Sequence, residues 1–378
     1  MPTDQFFMKR ALKLAEQARG QTSPNPMVGA VLVKKGRILA EDYHHRAGEK
    51  HAERIVLEKA GSNARGATLF VTLEPCCHFG KTPPCTDIII QSGVSRVVFA
   101  VQDPFPQVSG KGDRILKKAG IAVESGLLEA EARQLNEAFF TYYQKKRPFI
   151  MLKWAMSLDG RVSTDSGNSK WITGVEARRM AHRLRSWHDA LCVGINTILT
   201  DDPQLTVRLS GYKEKQPSCV ILDESLRTPV DAAIFRSDHK IYIFSGPIKG
   251  SPLSRRAQKL ASRGALLFQT GLHRGWIDIH SLLEALHREN IQSLFVEGGR
   301  SVSGSFWEAG MADKLGIFIA PKIIGGRKVA SPVLCNGILQ MKDAPDLGPC
   351  KIKRFGADIY LEAYRNPGSS STPGGCET

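Results

Sequence analysis

Residues 51–77 read HAERIVLEKAGSNARGATLFVTLEPCC, and their reading decides the fold. A helix begins after His51, and ATLFVTLEP (67–75) is an apolar strand. The chemically capable side chains sit at the ends of these elements. His51 and Glu53 stand at the mouth of the helix, and Cys76 and Cys77 follow the strand. Outward in both directions the alternation continues. MVGAVLV (27–33) reads as a buried strand, KKGR as a turn, and a return strand starts at Ile38. Downstream come a helix from Thr86, a strand RVVFAVQDP (96–104), a helix GDRILKKAG (112–120), a strand IAVESGLL (121–128) and one long helix over 129–146. Strands alternating with helices predict a sheet sandwiched by helices. Glu74-Pro75 and Asp103-Pro104 end strands, where ligands of α/β sheets collect. Upstream, Phe6, Phe7, Ala11, Leu14, Ala15 and Ala18 recur at helical spacing after a capping Thr3 or Asp4, so the start is a helix rather than a signal peptide.

The chain has 378 residues, more than one ordinary domain holds, with 42% hydrophobic and 24% charged residues. Two domains are expected, 1–147 and 148–365, parted at QKKRP (144–148), with a flexible tail over 366–378. After Pro148 the strand FIMLKWAMSLDG opens a second alternating half. It continues with a helix EARRMAHRLRSWHD (176–189), a strand ALCVGINTIL (190–199), and short strands PSCVILD, KIYIFSG and SLFVEGG. LGIFIAPKIIGG and KIKRFGADIYLEAYR read as closing strands. No stretch approaches the ~20 apolar residues of a membrane span, and a cytoplasmic protein is expected. The net charge of +15 fits an enzyme for phosphorylated small molecules. It also admits nucleic acid, but the basic residues form no aromatic-interleaved stripe. Eight cysteines in a cytoplasmic chain do not imply disulfides. Cys76, Cys77 and Cys85 cluster, whereas Cys192, Cys219, Cys335 and Cys350 read as buried hydrophobes.

Deaminating an aromatic amidine at neutral pH needs a strong nucleophile, and zinc lowers the pKa of a coordinated water to ~7. One histidine and two thiolates leave a fourth tetrahedral position open. His51, Cys76 and Cys85 are the predicted ligands. Glu53, two residues from His51, is placed to move the water's proton to the departing ammonia. The usual deaminase pattern is H-x-E followed by P-C-x-x-C. Here eight residues separate Cys76 from Cys85, which counts against a nucleic-acid-editing deaminase. A purely structural zinc module would need a fourth protein ligand. Only Cys77 and His78 are spare, and neither is well placed. Cys77 has no assigned role.

HAE with PCCHFGKTPPC resembles the deaminase half of the bifunctional bacterial riboflavin-biosynthesis enzymes. KWAMSLDGR, SKWITG, DDPQLTVR and VEGG, in that order, resemble the reductase half of the same family, so the resemblance spans residues 1 to about 365. It implies a cytidine-deaminase-like α/β/α sandwich followed by a dihydrofolate-reductase-like α/β domain. It also implies zinc and NADPH as cofactors and a phosphorylated pyrimidine as substrate. Two consecutive steps of riboflavin synthesis follow: deamination of 2,5-diamino-6-(5-phosphoribosylamino)pyrimidin-4-one, then reduction of its ribosyl group to a ribityl chain. The expected assembly is a homo-oligomer. In the deaminase half the resemblance implies substrate contacts from Asn25, His44, His78 and Lys81. In the reductase half it places Ala155, Trp171, Thr197 and Asp201 beside the nicotinamide nucleotide. It puts Gly299, Arg300, Ser301, Val302, Ser303, Gly304 and Ser305 around the phosphates, as a Gly- and Ser-rich turn opening a helix. Ser169, Arg185, Leu205, Arg208 and Glu297 fall on the substrate side. Lys153 joins them, either orienting the ribosyl group or pairing with a carboxylate. Guanidinium groups suit a ribose phosphate. No residue marks a subsite for the cofactor's 2′-phosphate.

Overall fold

The computed structural model describes residues 2–79, 83–327 and 331–366. The chain divides into two compact units, residues 1–147 and 148–378. The tail expected over 366–378 lies, beyond Asn366, outside the described residues.

The first unit runs α1 (Asp4–Ala15), β1 (Gly29–Lys34), β2 (Arg37–Tyr43), α2 (Ala52–Ala60), β3 (Thr68–Val71), α3 (Cys85–Ser92), β4 (Arg96–Phe99), α4 (Lys111–Lys118), β5 (Ala122–Ser125), α5 (Glu129–Leu135) and α6 (Glu137–Lys145). Its sheet has the order β2-β1-β3-β4-β5, antiparallel at β2/β1 and β1/β3 and parallel from β3 to β5. Thr3 caps α1 by accepting from the Phe6 amide. Phe7, Met8, Ala11 and Ala15 face the core, while Phe6 points out, half-exposed.

The long helix expected over 129–146 is in fact two. Asn136 leaves helical geometry between α5 and α6. Its side chain accepts from the Met27 amide at 2.8 Å and donates to the Met27 carbonyl at 2.9 Å. That buried bidentate bond secures the segment before β1 and repays the interrupted helix.

The second unit runs β6 (Phe149–Ser157), α7 (Val175–Ser186), β7 (Ala190–Gly194), α8 (Ile195–Asp201), β8 (Ser218–Leu222), β9 (Ile241–Ser245), α9 (Ser251–Ser262), β10 (Ala265–Gln269), a hairpin of β11 (Leu272–His273) and β12 (Trp276–Ile277), α10 (Ile279–Arg288), β13 (Ser293–Val296), α11 (Arg300–Glu308), β14 (Lys314–Ala320), β15 (Lys351–Phe355) and β16 (Asp358–Tyr364). Nine strands form one sheet, β10-β9-β8-β7-β13-β6-β14-β16-β15. It is parallel from β10 to β14, and β16 and β15 close it antiparallel. Strands β7, β8, β9 and β13 are buried on both faces, as their unbroken apolar runs require.

Two sequence readings are corrected here. ALCVGINTIL is not one strand: β7 stops at Gly194, and Thr197 and Asp201 lie in α8. Gly194 has no room for a side chain, because a Cβ there would stand 2.8 Å from Val302 Cγ2. The glycine lets α8 and α11 begin against each other. The Gly- and Ser-rich turn expected over 299–305 is shorter than expected: Gly299 caps α11, and residues 300–305 already form its first turns.

Candidate active sites

In the first unit, His51 occupies the N-cap of α2 with extended backbone and no capping bond, so its ring is free to turn inward. Cys76 follows β3, and Cys85 opens α3. The Nδ1 atom of His51 lies 3.5 Å from Cys76 Sγ and 3.3 Å from Cys85 Sγ. One ligand atom from each of the three residues fits within 4.8 Å of the others. A tetrahedral zinc with ordinary Zn–S and Zn–N bonds would set such N···S separations at ~3.6 Å, so this donor set fits that ion. The amide of Cys85 donates to Cys76 Sγ at 3.3 Å, bringing the N-terminus of α3 onto the sulfur. Hydrogen bonds from Cys85 and His51 draw the Cys76 thiol down to about 4. The shared proton and burial push Cys85 up. One thiolate beside one thiol is the arrangement a soft divalent cation converts to two thiolates. Glu53, in the first turn of α2, is 3% exposed, and burial raises its pKa.

A cavity of about 300 Å³ opens on this cluster, and His51, Glu53 and Cys76 form its floor. Asn25, His44 and His78 line it, as do Asp103, Phe105 and Tyr143. His44 is held neutral: Nδ1 donates to the Lys50 carbonyl at 3.1 Å, Nε2 accepts from Asn25 Nδ2 at 3.1 Å, and burial lowers its pKa. That bond leaves the Asn25 carbonyl oxygen to accept from a ligand. His78 Nδ1 is buried with no hydrogen-bond partner. Lys81 lies outside the described residues. Asp103, at the end of β4, is pushed up to about 7, first by burial and also by Glu74. Glu74 is 2% exposed and accepts from the amides of Asp103, Gly110 and Asp113. It thereby ties the end of β3 to the loop before α4. The aromatic wall of Phe105 and Tyr143 carries no motif, and nothing in the sequence signalled it.

In the second unit, Glu297 at the end of β13 joins Arg185 of α7 through two bonds, 2.5 and 3.0 Å long. Lys153 of β6 adds a contact at 3.6 Å. Burial would raise the Glu297 carboxyl, but Arg185 and Lys153 hold it at about 2. Arg185 is therefore not a solvated face residue, and Nη1 also donates to the Thr206 carbonyl at 2.9 Å. Leu205 is buried with a positive φ of 51°. Arg208 is exposed and meets no carboxylate among the described residues.

A second, smaller cavity is lined by Gly194, Thr197, Gly299, Ser301, Val302 and Ser305, with Glu224, Arg227 and Trp276 across from them. The first amides of α11 have no acceptor inside the helix, and the first turns of that helix line this cavity. Ser303 and Gly304 do not reach this wall. Ser303 is fully buried and accepts from Trp154 Nε1, and a Cβ on Gly304 would stand 1.8 Å from the Leu334 carbonyl oxygen. Arg300 is half-buried at the start of α11 and is not among the lining residues. Ala155 is half-buried in β6, and Ser169 is exposed. Trp171 is 65% exposed under Arg178, so it is not core. Asp201 pairs with Lys170 at 2.7 Å.

A three-donor cluster suited to a metal beneath a cavity in one unit, joined to a second unit built on a largely parallel nine-stranded sheet, defines the class: a deaminase-like metal domain fused to an α/β domain. Comparison with known proteins agrees. Residues 1–101 match the cytidine and deoxycytidylate deaminase zinc-binding region, and residues 148–361 match the RibD C-terminal domain. The riboflavin biosynthesis protein RibD of Aquifex aeolicus is 44% identical over 95% of this chain and 97% of its own length. That of Escherichia coli is 41% identical over 95% and 98%. Solved structures agree in fold. Acinetobacter baumannii RibD superposes with a TM-score of 0.86 at 35% identity, covering 96% of this chain and 99% of that one. A diaminohydroxyphosphoribosylaminopyrimidine deaminase/5-amino-6-(5-phosphoribosylamino)uracil reductase from Thermotoga maritima gives 0.81 at 37%, covering 96% and 98%.

The chain belongs to the RibD family, the bifunctional deaminase/reductases of riboflavin biosynthesis. Its fold class is the expected one, a cytidine-deaminase-like α/β/α sandwich followed by a dihydrofolate-reductase-like α/β unit.

Proposed function

We propose that this chain hydrolytically deaminates 2,5-diamino-6-(5-phosphoribosylamino)pyrimidin-4-one and then, with NADPH, reduces the ribosyl group to a ribityl chain. The observation that carries the first step is the His51–Cys76–Cys85 cluster with buried Glu53 at the floor of a ring-sized cavity. Zinc, held by those three side chains, would activate water for attack on the amino-bearing ring carbon. Glu53 takes the proton of that water and gives it to the departing amino group, so that ammonia leaves as the C–N bond breaks. Burial raises its proton affinity toward that task. The Asn25 side-chain oxygen and the His78 ring orient the heterocycle, and Lys81 is a further contact of the same substrate.

In the second unit NADPH would supply hydride to C1 of the opened, imine form of the sugar. Gly299, Ser301, Val302 and Ser305 with Thr197 and Gly194 hold its phosphates, and Ala155, Trp171 and Asp201 flank the nicotinamide side. Arg208 meets no carboxylate among the described residues, and Lys153 reaches Glu297 only at 3.6 Å while Arg185 takes that carboxylate through two shorter bonds. Lys153 and Arg208 receive the sugar phosphate, with Leu205 and Ser169 at its edge. The same reading makes the protein a cytoplasmic homo-oligomer that binds neither nucleic acid nor membrane. Among the described residues no helix is long and apolar enough to cross a bilayer.

The test is turnover of the pyrimidine, following ammonia and cofactor absorbance. Ammonia without NADPH, then cofactor oxidation once NADPH is added, is the expected result. Cofactor oxidation before any ammonia release would reverse the order of steps and defeat the reading.

A further inference from the structure

We propose that His182 is a positioning residue of the reductase site: its uncharged ring clamps the Leu205–Arg208 segment so that Arg208 is held ready for the sugar phosphate. The inference rests on the reduction proposed above.

Residues 203–209 have no helix or strand to hold them. Leu205 stands in left-handed backbone geometry, which a branched side chain rarely adopts and which persists only where its surroundings impose it. Three side chains impose it here. Arg185 Nη1 donates to the Thr206 carbonyl at 2.9 Å. Gln216 accepts from the Val207 amide at 2.7 Å. His182 Nδ1 accepts from the Arg208 amide at 3.2 Å. His182 and Arg185 lie three residues apart in α7 and so share a face. They take hold of the segment at positions two residues apart.

The bond at Nδ1 fixes the ring as the Nε2–H tautomer, since a protonated Nδ1 would set two donors against each other. The charges facing the ring agree. Arg185 on its own helix, Arg208 on the segment and Lys153 on β6 oppose protonation, and only Glu297 favours it. Burial first, then those cations, bring its pKa down to about 4. The ring is therefore neutral throughout the ordinary range. It holds the Arg208 backbone without competing for the anion. Below about pH 4 the clamp opens.

The test uses ribose 5-phosphate binding measured by calorimetry on the full chain, alongside steady-state kinetics. His182→Leu, which removes the acceptor, should weaken ribose 5-phosphate about tenfold and raise KM for the pyrimidine equally. KM for NADPH and kcat should stay within threefold. His182→Asn, whose amide oxygen replaces Nδ1, should restore binding to within threefold and abolish the loss of affinity seen in the parent near pH 4. If the Leu variant does not fold, His182→Gln, whose oxygen lies one bond too far, takes its place with the same expected loss. Unchanged ribose 5-phosphate affinity in the Leu or Gln variant overturns the proposal, and so does an Asn variant as weak as Leu. A parent chain whose ribose 5-phosphate affinity depends on His182 yet which oxidises no NADPH with the pyrimidine would instead overturn the reductase reading alone.

Discussion

Glu53 and Cys77 separate chemistry from proximity at the residue scale. Glu53→Gln keeps the volume and removes the proton carrier. Ammonia release should fall by about 10³-fold, within the range proton transfer supplies. Zinc measured by atomic absorption should stay at one per chain; loss of zinc with the substitution would make Glu53 a ligand. Cys77 turns away from the cluster, its sulfur 3.7 Å from the Gln107 carbonyl. Cys77→Ser should leave zinc content and ammonia release within twofold. Glu297 carries a pH signature. Its folded pKa of about 2 lies below the ordinary 4.5, so the ion pair's contribution is fully present above pH 4.5 and is lost as pH falls toward 2. The contribution is roughly 3 kcal/mol. Chemical denaturation between pH 6 and 3 should show a slope that Glu297→Gln flattens, with the variant less stable at pH 6 because Arg185 keeps its charge without a partner.

The site is carried by element ends. Glu74 and Pro75 close β3 against the start of α4, and Gly112 makes the contact possible. A Cβ there would stand 2.2 Å from the Pro75 carbonyl oxygen and 3.2 Å from Glu74 Oε1. Gly112→Ala must push Pro75 and hence Cys76. Thermal unfolding should shift down by several degrees, and zinc affinity should weaken by tenfold or more in a competition titration. The grouping of His51, Cys76 and Cys85 was legible because these residues border a helix and a strand whose apolar runs are unmistakable. Three elements were not legible. Asn136 interrupts a helical pattern for the sake of Met27, more than a hundred residues away. ALCVGINTIL reads as one apolar strand because a buried strand and a short buried helix have the same composition. Helix α11 starts earlier than its glycines and serines indicated, which removes Ser303 and Gly304 from the cavity wall.

At the scale of the molecule, the metal-donor cluster found among the described residues belongs to residues 1–147, and the cavity at the start of α11 belongs to residues 148–378. Stripping zinc with a chelator should abolish ammonia release while leaving NADPH oxidation with the already deaminated pyrimidine within twofold. Readdition of zinc should restore the first activity. Loss of both on chelation would show that the metal also supports the reductase unit.

The amino-acid order alone determined that two α/β units follow one another, that His51, Cys76 and Cys85 form a donor set, and that Glu53 stands beside it. Each of these follows from periodicity and spacing, which act over a turn of helix or the length of a strand. Only the folded chain decided that Arg185 spends its charge on Glu297, that Trp171 lies outside the core, and that His182 reaches the Arg208 backbone. Those facts depend on which surfaces meet when distant segments pack, and a local pattern of residue types carries no record of that meeting.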